Sequence, residues 1–187
     1  MRPLDLKNQY YLMRHGRSLA NESGIIVSAP EIGIHDYGLT DEGRMQARNS
    51  VEASGLKPAW IFSSDFKRAR ETGEIASSIT QAPLKLDGRL RERFFGAFNG
   101  QSDENYRLVW EMDAKAEDPG RSVELPHNVL IRTLGLISEC EQIRGPVLLV
   151  AHGDVCQILL SWAAGRNAWE HRSLPHMQTA EIRRFNP

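Results

Sequence analysis

The chain has 187 residues, of which 23 are Lys or Arg and 24 are Asp or Glu, giving a formal net charge of -1. This length suits one compact domain with a sizeable core. A near-neutral chain lacks the basic footprint of a nucleic-acid-binding protein. Its apolar runs are also far shorter than the ~20 residues that cross a bilayer. We therefore expect a soluble single domain over residues 1–187, with no nucleic-acid or membrane partner.

The two cysteines, Cys140 and Cys156, form neither a CxxC motif nor a disulfide framework. Such isolated cysteines are typical of reduced thiols, and residues 1–7 lack the apolar core of a signal peptide. These features favour a cytoplasmic location. Several other histidines are scattered without ligand spacing, so no metal site is expected.

The first half of the chain alternates strand and helix patterns. A short apolar run, Tyr10 to Met13, predicts a buried strand that ends at a polar Arg-His-Gly turn. Thr40 is a candidate N-cap for a helix that ends near Gly55. The second strand is predicted at Trp60 to Phe62, followed by a helix that carries Phe66 to Ile79.

The second half continues the alternation after a polar stretch, residues 101–122, which predicts a short helix and a loop. Four elements are then expected: a helix starting near Pro126 and stopping at Gly145, a strand at 147–151, a helix at 154–164, and an edge strand within 179–185. This alternation predicts an α/β fold, a three-layer α/β/α sandwich with a mostly parallel sheet.

Four candidate residues follow predicted strands: Arg14 and His15 after the first, Arg68 after the second and His152 after a later one. Ligands of such sheets bind beyond the carboxyl ends of the strands, so these side chains are expected on the same edge.

Two arginines, two histidines and nearby glycines suit the binding of a phosphate dianion. Guanidinium groups clamp phosphate oxygens with paired hydrogen bonds. Neighbouring arginines should lower the pKa of His15 and keep it a nucleophile, while a protonated His152 would donate to the same oxygens. Gly16 and Gly153 would let backbone N–H groups approach phosphate. A general acid for the leaving alcohol is still required.

Five blocks of sequence carry a family resemblance. They are Tyr11 to Asn21; Gly38 to Thr40 with Gly43, Gln46 and Ala47; Ser63 to Ala69 with Thr72; Leu90 to Arg93 with Gly96 and Gly100; and Val150 to Gly153. In this order they resemble the histidine phosphatase superfamily, in its phosphoglycerate mutase-like branch.

The resemblance implies that His15 is phosphorylated, that Arg14, Arg68 and His152 hold the phosphate, and that Asn21 assists. It also implies that no metal or other cofactor takes part. Gly16, Arg17, Ser18 and Gly153 are further candidate phosphate- or substrate-binding residues. Arg17 replaces the usual Glu or Gln, which puts either a cation at the rim or a solvent-facing side chain there.

The resemblance makes Glu92 the general acid and later the base for water. Two other interpretations are open. Glu92 lies between Arg91 and Arg93 and would then belong to a solvated ion-pair cluster, or Asp154 is the acid instead.

The substrate class follows from a departure from the mutases. Residues 101–107 are acidic and lack the arginine pair with which mutases grip phosphoglycerate, so hydrolysis of a small phosphate monoester, a phosphorylated metabolite, is favoured. Phe94, Phe95 and Phe98 are expected to place apolar surface beside the phosphate pocket. The alternatives are a phosphoglycerate mutase, a non-catalytic phospho-ligand module and a protein phosphohistidine phosphatase. The oligomeric state stays open.

Overall fold

A computed structural model describes residues 6–185 of the chain. Its central sheet has five strands in the order β3-β2-β4-β1-β5. The strands are β1 (Tyr10–Arg14), β2 (Trp60–Ser63), β3 (Leu84–Leu86), β4 (Val147–Ala151) and β5 (Ile182–Phe185). The helices are α1 (Leu19–Ser23), α2 (Pro30–Gly33), α3 (Asp41–Ser54), α4 (Lys67–Thr80), α5 (Asn105–Asp113), α6 (Pro126–Cys140) and α7 (Gly153–Ala163), with short 3-10 helices at Gly88–Leu90, Gly96–Phe98 and Ala168–Ser173.

The alternation of side chains along β4 builds the two outer layers. Val147, Leu149 and Ala151 pack into a core shared with α6 and α7. Leu148 and Val150 point the other way, into a core shared with α3 and α4. Because β4 is buried on both faces, its sequence is continuously apolar. This confirms the predicted α/β/α sandwich.

The order of the strands fixes where a ligand binds. From β1 the chain skips one position to β2, and β4 later fills the gap between them, parallel to both. Parallel pairing brings the carboxyl ends of β1, β2 and β4 to the same end of the sheet, and these three are its inner strands. As predicted, the last strand lies at a sheet edge, where β5 pairs antiparallel with β1.

Local sequence signals explain the ends of the flanking helices. The Thr40 hydroxyl caps α3 by accepting a hydrogen bond from the Gly43 amide at 3.0 Å, and Gly55 ends the helix in the left-handed conformation. Pro126 occupies the first turn of α6, as predicted. Residues 101–122 form the short helix α5 and a loop.

Three elements lack a clear sequence signal. Helices α1 and α2 are five and four residues long, and β3 is an edge strand of three residues whose last two are exposed. Elements this short show no full period of hydrophobic residues. Across residues 6–185, none of the helices combines the length and apolar character needed to cross a membrane.

Candidate active site

The register of β1 against β4 brings two histidines together. Arg14 lies opposite Ala151 in this parallel pair, so the next residues of the two strands, His15 and His152, are also neighbours. Their ring centroids lie 5.2 Å apart, and both side chains are buried. The two imidazoles therefore lie side by side at the carboxyl ends of two inner strands, and they form the centre of the candidate site.

Hydrogen bonds define which nitrogen of His15 is free to react. Nδ1 lies 2.7 Å from the Gly16 carbonyl oxygen, which only accepts, so Nδ1 carries the proton. Nε2 then holds a lone pair, to which Arg68 Nε donates at 3.2 Å. Burial, followed by the charges of Arg68 and Arg14, lowers the pKa of His15 well below its usual value. The imidazole is therefore neutral and nucleophilic at neutral pH.

Three buried side-chain nitrogens on residues close to His15 have no hydrogen-bond partner among the described residues: Arg14 Nε, Arg68 Nη1 and His152 Nδ1. The rest of each guanidinium is anchored, since Arg14 Nη1 donates to the Met177 carbonyl at 2.8 Å and Arg68 Nη2 to the Val27 carbonyl at 2.9 Å. Buried donors are costly to leave unpaired. Several such nitrogens on residues that lie next to one another are what an anion site requires.

His152 contacts a serine from the neighbouring strand exit. Its Nε2 lies 2.9 Å from Ser64 Oγ. Burial and the charge of Arg68 lower the pKa of His152 well below the usual value. Burial beside positively charged arginines therefore disfavours the predicted protonated form of His152 in the free site.

Glu92 is buried at the same edge, with 8% of its surface exposed. Its Oε1 accepts from the Arg93 amide at 2.9 Å. Both flanking arginines bind elsewhere: Arg91 pairs with Asp65 at 2.6 Å and Arg93 with Asp113 at 2.5 Å. The interpretation of Glu92 as part of a solvated ion-pair cluster is therefore wrong.

The environment of Glu92 favours its protonated form. Burial and the nearby charge of Asp154 raise its pKa to about 7, against the opposing effect of Arg68. This is the range that suits a general acid at neutral pH.

The competing acid, Asp154, is held by several donors. Trp110 Nε1 lies 3.1 Å from its Oδ1, and Arg93 Nη1 lies 3.4 Å from its Oδ2. The charges of His171, Arg93 and Arg172 outweigh burial and lower its pKa. An ionised carboxylate with engaged oxygens has no proton to give to a leaving group.

The loop after His15 is held by an unusually close approach of two glycines. A Cβ on Gly16 would lie 2.4 Å from the Gly43 carbonyl oxygen, and one on Gly43 would lie 2.0 Å from the Arg17 carbonyl oxygen. At the other strand exit, Gly153 begins α7 beside the Arg14 guanidinium. Only glycine allows the backbone at positions 16 and 43 to pack this closely, whereas a Cβ on Gly153 would lie 3.7 Å from Arg14 Nε, an ordinary contact.

The remaining candidates lie at the edge of the pocket. Ser18 and Asn21 cap α1 reciprocally, with the Ser18 amide donating to Asn21 Oδ1 at 3.1 Å. Arg17 is half-exposed and pairs with Glu42 at 3.3 Å. Asn21 Oδ1 is therefore engaged in the cap of α1, and Arg17 contacts Glu42 of α3.

The three phenylalanines after Glu92 do not share one environment. Phe94 is exposed, but Phe95 and Phe98 are buried in a separate core with Ile26 and Val109. The expectation that all three line the pocket is therefore wrong for two of them, because the 3-10 turn at Gly96–Phe98 directs them inward.

Two aromatic residues near the site were not among the sequence candidates, whereas for His176 the sequence favoured a surface-loop role over one lining the pocket. His176 lies 3.0 Å from Arg14, and Tyr106 stacks on Trp110 with centroids 5.2 Å apart. The contact between Tyr106 and Trp110 could have been predicted, because residues four positions apart on a helix lie next to each other. His176 lies in an irregular loop, where spacing carries no such signal.

The fold and the arrangement of two histidines and two arginines define a histidine phosphatase. The chain belongs to the histidine phosphatase superfamily (branch 1), whose family model matches residues 10–187.

Known relatives are similar over most of the chain. A glucosyl-3-phosphoglycerate phosphatase from Mycolicibacterium vanbaalenii is 29% identical over 171 residues, which cover 82% of this chain and 73% of that protein. Its counterpart from Mycobacterium tuberculosis is 30% identical over 166 residues, 79% of this chain and 71% of that protein. A solved structure of a mycobacterial glucosyl-3-phosphoglycerate phosphatase with VO3 superimposes with a TM-score of 0.80 at 26% identity, covering 93% and 90% of the two chains. The chain is thus a phosphatase that hydrolyses a phosphate monoester.

Proposed function

We propose that His15 is the residue that accepts the phosphoryl group. Its Nε2 lone pair attacks phosphorus, which forms the N–P bond as the bond to the substrate oxygen breaks. The single observation that carries this proposal is that buried nitrogens of Arg14, Arg68 and His152, the residues next to His15, have no partner among the described residues. They would stabilise the charge of the transferring phosphoryl group.

His152 would bind phosphate as a neutral donor. If the Ser64 hydroxyl donates to Nε2 at 2.9 Å, the ring proton lies on Nδ1, the nitrogen that has no partner among the described residues. The Ser64 oxygen also accepts from the Phe66 amide at 3.2 Å, which orients its own proton toward the imidazole. A neutral donor suffices because the two arginines supply the positive charge.

Glu92 would then handle the protons of both half-reactions. It gives its proton to the departing alkoxide oxygen and becomes a carboxylate. In the second step it takes a proton from water while the water oxygen bonds to phosphorus, the N–P bond breaks, and the electron pair returns to His15. Its pKa of about 7 allows both protonation states near neutral pH.

The substrate is proposed to be a small phosphorylated metabolite whose alcohol part includes an uncharged surface. A cavity of about 460 Å³ is lined by Glu92 together with the exposed Phe94 and Pro30. Two arginines also line it, but each is neutralised: Arg91 by Asp65 and Arg132 by Glu124. Such walls favour an apolar or hydroxyl-bearing group over a second anion.

The location and organisation are proposed from simpler features. Both cysteines are free and buried, which suits a reducing cytoplasm. We treat residues 1–187 as one catalytic domain that acts without metal, cofactor or nucleic acid. The proposed binding roles of Gly16, Arg17, Ser18, Asn21 and Gly153 rest on their places around the His15 loop and the start of α7.

The direct test is to trap the phosphoenzyme. The protein is incubated with a labelled phosphate monoester, quenched in base and digested, and the labelled peptide is identified. We expect acid-labile, base-stable label on His15 and none in His15→Ala, with turnover abolished. Label on another residue, or full turnover by His15→Ala, would contradict the proposal. A panel of monoesters, run with and without 2,3-bisphosphoglycerate, identifies the alcohol and separates hydrolysis from mutase activity.

A further inference from the structure

The guanidinium of Arg14 is held by two consecutive residues of the loop before β5. Its Nη1 donates to the Met177 carbonyl oxygen at 2.8 Å and lies 3.0 Å from Nε2 of His176. These two contacts occupy both N–H bonds of Nη1. Nε of the same guanidinium is buried and has no partner among residues 6–185. One side of Arg14 is thus fixed to the protein, and the other side is open to a ligand.

The open side of Arg14 faces the start of α7. A Cβ on Gly153 would lie 3.7 Å from Nε and 3.9 Å from Nη2 of the arginine. These two nitrogens form an edge of the guanidinium that can bind two oxygens of one phosphate in parallel. Amides in the first turn of a helix favour an anion at the same place. The orientation of Arg14 therefore decides whether this edge meets the phosphate.

His176 can fix that orientation only as a hydrogen-bond acceptor, because a guanidinium has no acceptor of its own. Burial and the charges of Arg14 and Arg172 lower the pKa of His176 to about 4. The ring is therefore neutral near pH 7, with one nitrogen that donates and one that accepts.

A second arginine lies on the other side of the same ring. Nη1 of Arg172 is 3.2 Å from Nδ1 of His176, and a neutral imidazole accepts from only one of two guanidiniums. Arg14 has the shorter contact, and the Met177 carbonyl also fixes its Nη1. Arg172 stacks on Trp110 with 25% of its side chain exposed, so its N–H groups can turn to water. The lone pair is therefore assigned to Nε2, and the proton to Nδ1.

The loop that carries His176 is itself fixed by side chains from α7 and β5. The buried side chain of Gln157 donates to two carbonyl oxygens earlier in the loop and accepts from the Met177 amide at 3.2 Å. Arg183 donates to the carbonyl oxygens of Pro175 and His176, at 2.8 and 3.1 Å. These contacts set the place of the imidazole without any ligand.

We propose that His176 is a positioning residue, whose Nε2 accepts from Arg14 and keeps the Nε–Nη2 edge of that guanidinium turned toward the phosphate. The inference rests on the proposed phosphate-binding role of Arg14. Without this acceptor the Met177 carbonyl alone holds Nη1, and the guanidinium can rotate about that one contact. Ordering the guanidinium then becomes part of the cost of binding, which weakens the affinity for phosphate.

The test compares His176→Leu, which has no acceptor, with His176→Gln, whose oxygen reaches about as far from the backbone as Nε2. The Kd of orthovanadate, a phosphate analogue, is measured by calorimetry. His176→Leu should weaken binding about tenfold, and His176→Gln less than about threefold. Gln178→Leu, an exposed position in the same loop, is the control and should change the Kd less than about twofold. Unchanged binding in His176→Leu, or equal losses in the Leu and Gln variants, would overturn the proposal.

A double-mutant cycle separates positioning from a general effect on the loop. If His176 acts through Arg14, His176→Leu should change the Kd by less than about twofold in an Arg14→Leu background. A loss that persists there, or that disappears in an Arg172→Leu background instead, contradicts the proposal. Should Arg14→Leu itself leave the Kd unchanged, the proposed phosphate-binding role of Arg14 is wrong, which distinguishes the two failures.

The wild-type protein supplies a second test that depends on no variant. Nitrogen NMR of the histidine rings, with the His176 signals assigned through the backbone, should show a neutral ring with its proton on Nδ1 at about pH 7. A proton on Nε2, or a cationic ring at that pH, would mean that His176 does not accept from Arg14, and the proposal would fail.

Discussion

Arg68 directs its Nε–H at His15 Nε2, the atom proposed to attack phosphorus, at a distance of 3.2 Å. The neighbouring Nη1 of the same guanidinium has no acceptor among the described residues. A phosphate oxygen is a stronger acceptor than an imidazole nitrogen, because it carries negative charge. We therefore expect Arg68 to transfer its hydrogen bond to the substrate, which exposes the lone pair at the moment it is needed.

This relationship predicts that lysine cannot replace Arg68. A lysine supplies charge but not the fork that reaches His15, phosphate and the Val27 carbonyl together. We expect Arg68→Lys to lower kcat/KM by roughly 100-fold, about 2.7 kcal/mol of transition-state stabilisation. Arg70→Lys, on the partly exposed face of the same helix, is the control and should change activity less than twofold. Equal effects of the two substitutions would contradict the role of Arg68.

The proposed acid predicts a dependence on the leaving group. Glu92→Gln removes the proton donor but keeps the size of the side chain, so hydrolysis of an alkyl phosphate should slow by roughly 10²–10⁴-fold. An aryl phosphate with an acidic phenol should be affected far less. Single-turnover kinetics with both esters makes the comparison, with exposed Glu111→Gln as control. A uniform loss across leaving groups would contradict the acid role.

The neutral histidines predict how stability depends on pH. His152 has a folded-state pKa far below the unfolded value of 6.5, so the unfolded chain binds more protons below pH 6.5. Its contribution to the free energy of unfolding is complete above pH 6.5 and is lost as the pH falls toward the folded pKa. When the free energy of unfolding is measured with denaturant at pH 4.5–7.5, it should fall less steeply with decreasing pH in His152→Asn than in the wild type. Exposed His127→Asn is the control, and the same slope in both variants would contradict the prediction.

The buried ion pair predicts a large stability difference between two carboxylates of α5. Asp113→Ala leaves the buried guanidinium of Arg93 with only one carboxylate contact, the longer one to Asp154 at 3.4 Å, and should lower the free energy of unfolding by about 3–5 kcal/mol. Glu111→Ala removes an exposed partner of Arg107 and should change it by less than about 1 kcal/mol. Urea unfolding of the two variants checks this. A difference below about 1 kcal/mol would show that Arg93 finds another partner.

The close glycine contact predicts that Gly16 tolerates no side chain. A methyl group at Gly16 meets the Gly43 carbonyl, so Gly16→Ala must displace the loop after His15 and reduce activity by at least tenfold. Gly135→Ala is a useful control, because this exposed glycine in α6 has free space around it. That variant should be stabilised by about 1 kcal/mol and keep full activity. Thermal unfolding and kcat/KM are measured for both variants. Full activity in Gly16→Ala would contradict the prediction.

The sequence was informative where structure depends on local patterns. The continuous apolar run of β4, the Thr40 cap and the edge position of β5 all follow from residues that are neighbours in the chain. The candidate site benefited from one general rule, that parallel strands end at the same edge. That rule placed His15 and His152 near each other, but gave neither their protonation states nor their partners.

What the sequence left undetermined depends on burial and on contacts between distant segments. The exposure of Phe94 and the burial of Phe95 differ because a 3-10 turn follows, and no periodicity marks it. The pairing of Arg93 with Asp113 joins residues twenty positions apart. Likewise, the neutral state of His152 reflects desolvation, which one sequence does not reveal.

The anchoring of α5 through its second half has a consequence for how far this enzyme tolerates sequence change. Helix α5 joins the catalytic layers through Asp113 at its end and through Trp110 beside Asp154, whereas residues 101–105 at its start are mostly exposed. Insertions or exchanges in that exposed portion would leave the machinery that handles phosphate intact. Selection and engineering could thus vary the length and sequence of residues 101–105 while keeping the two anchors.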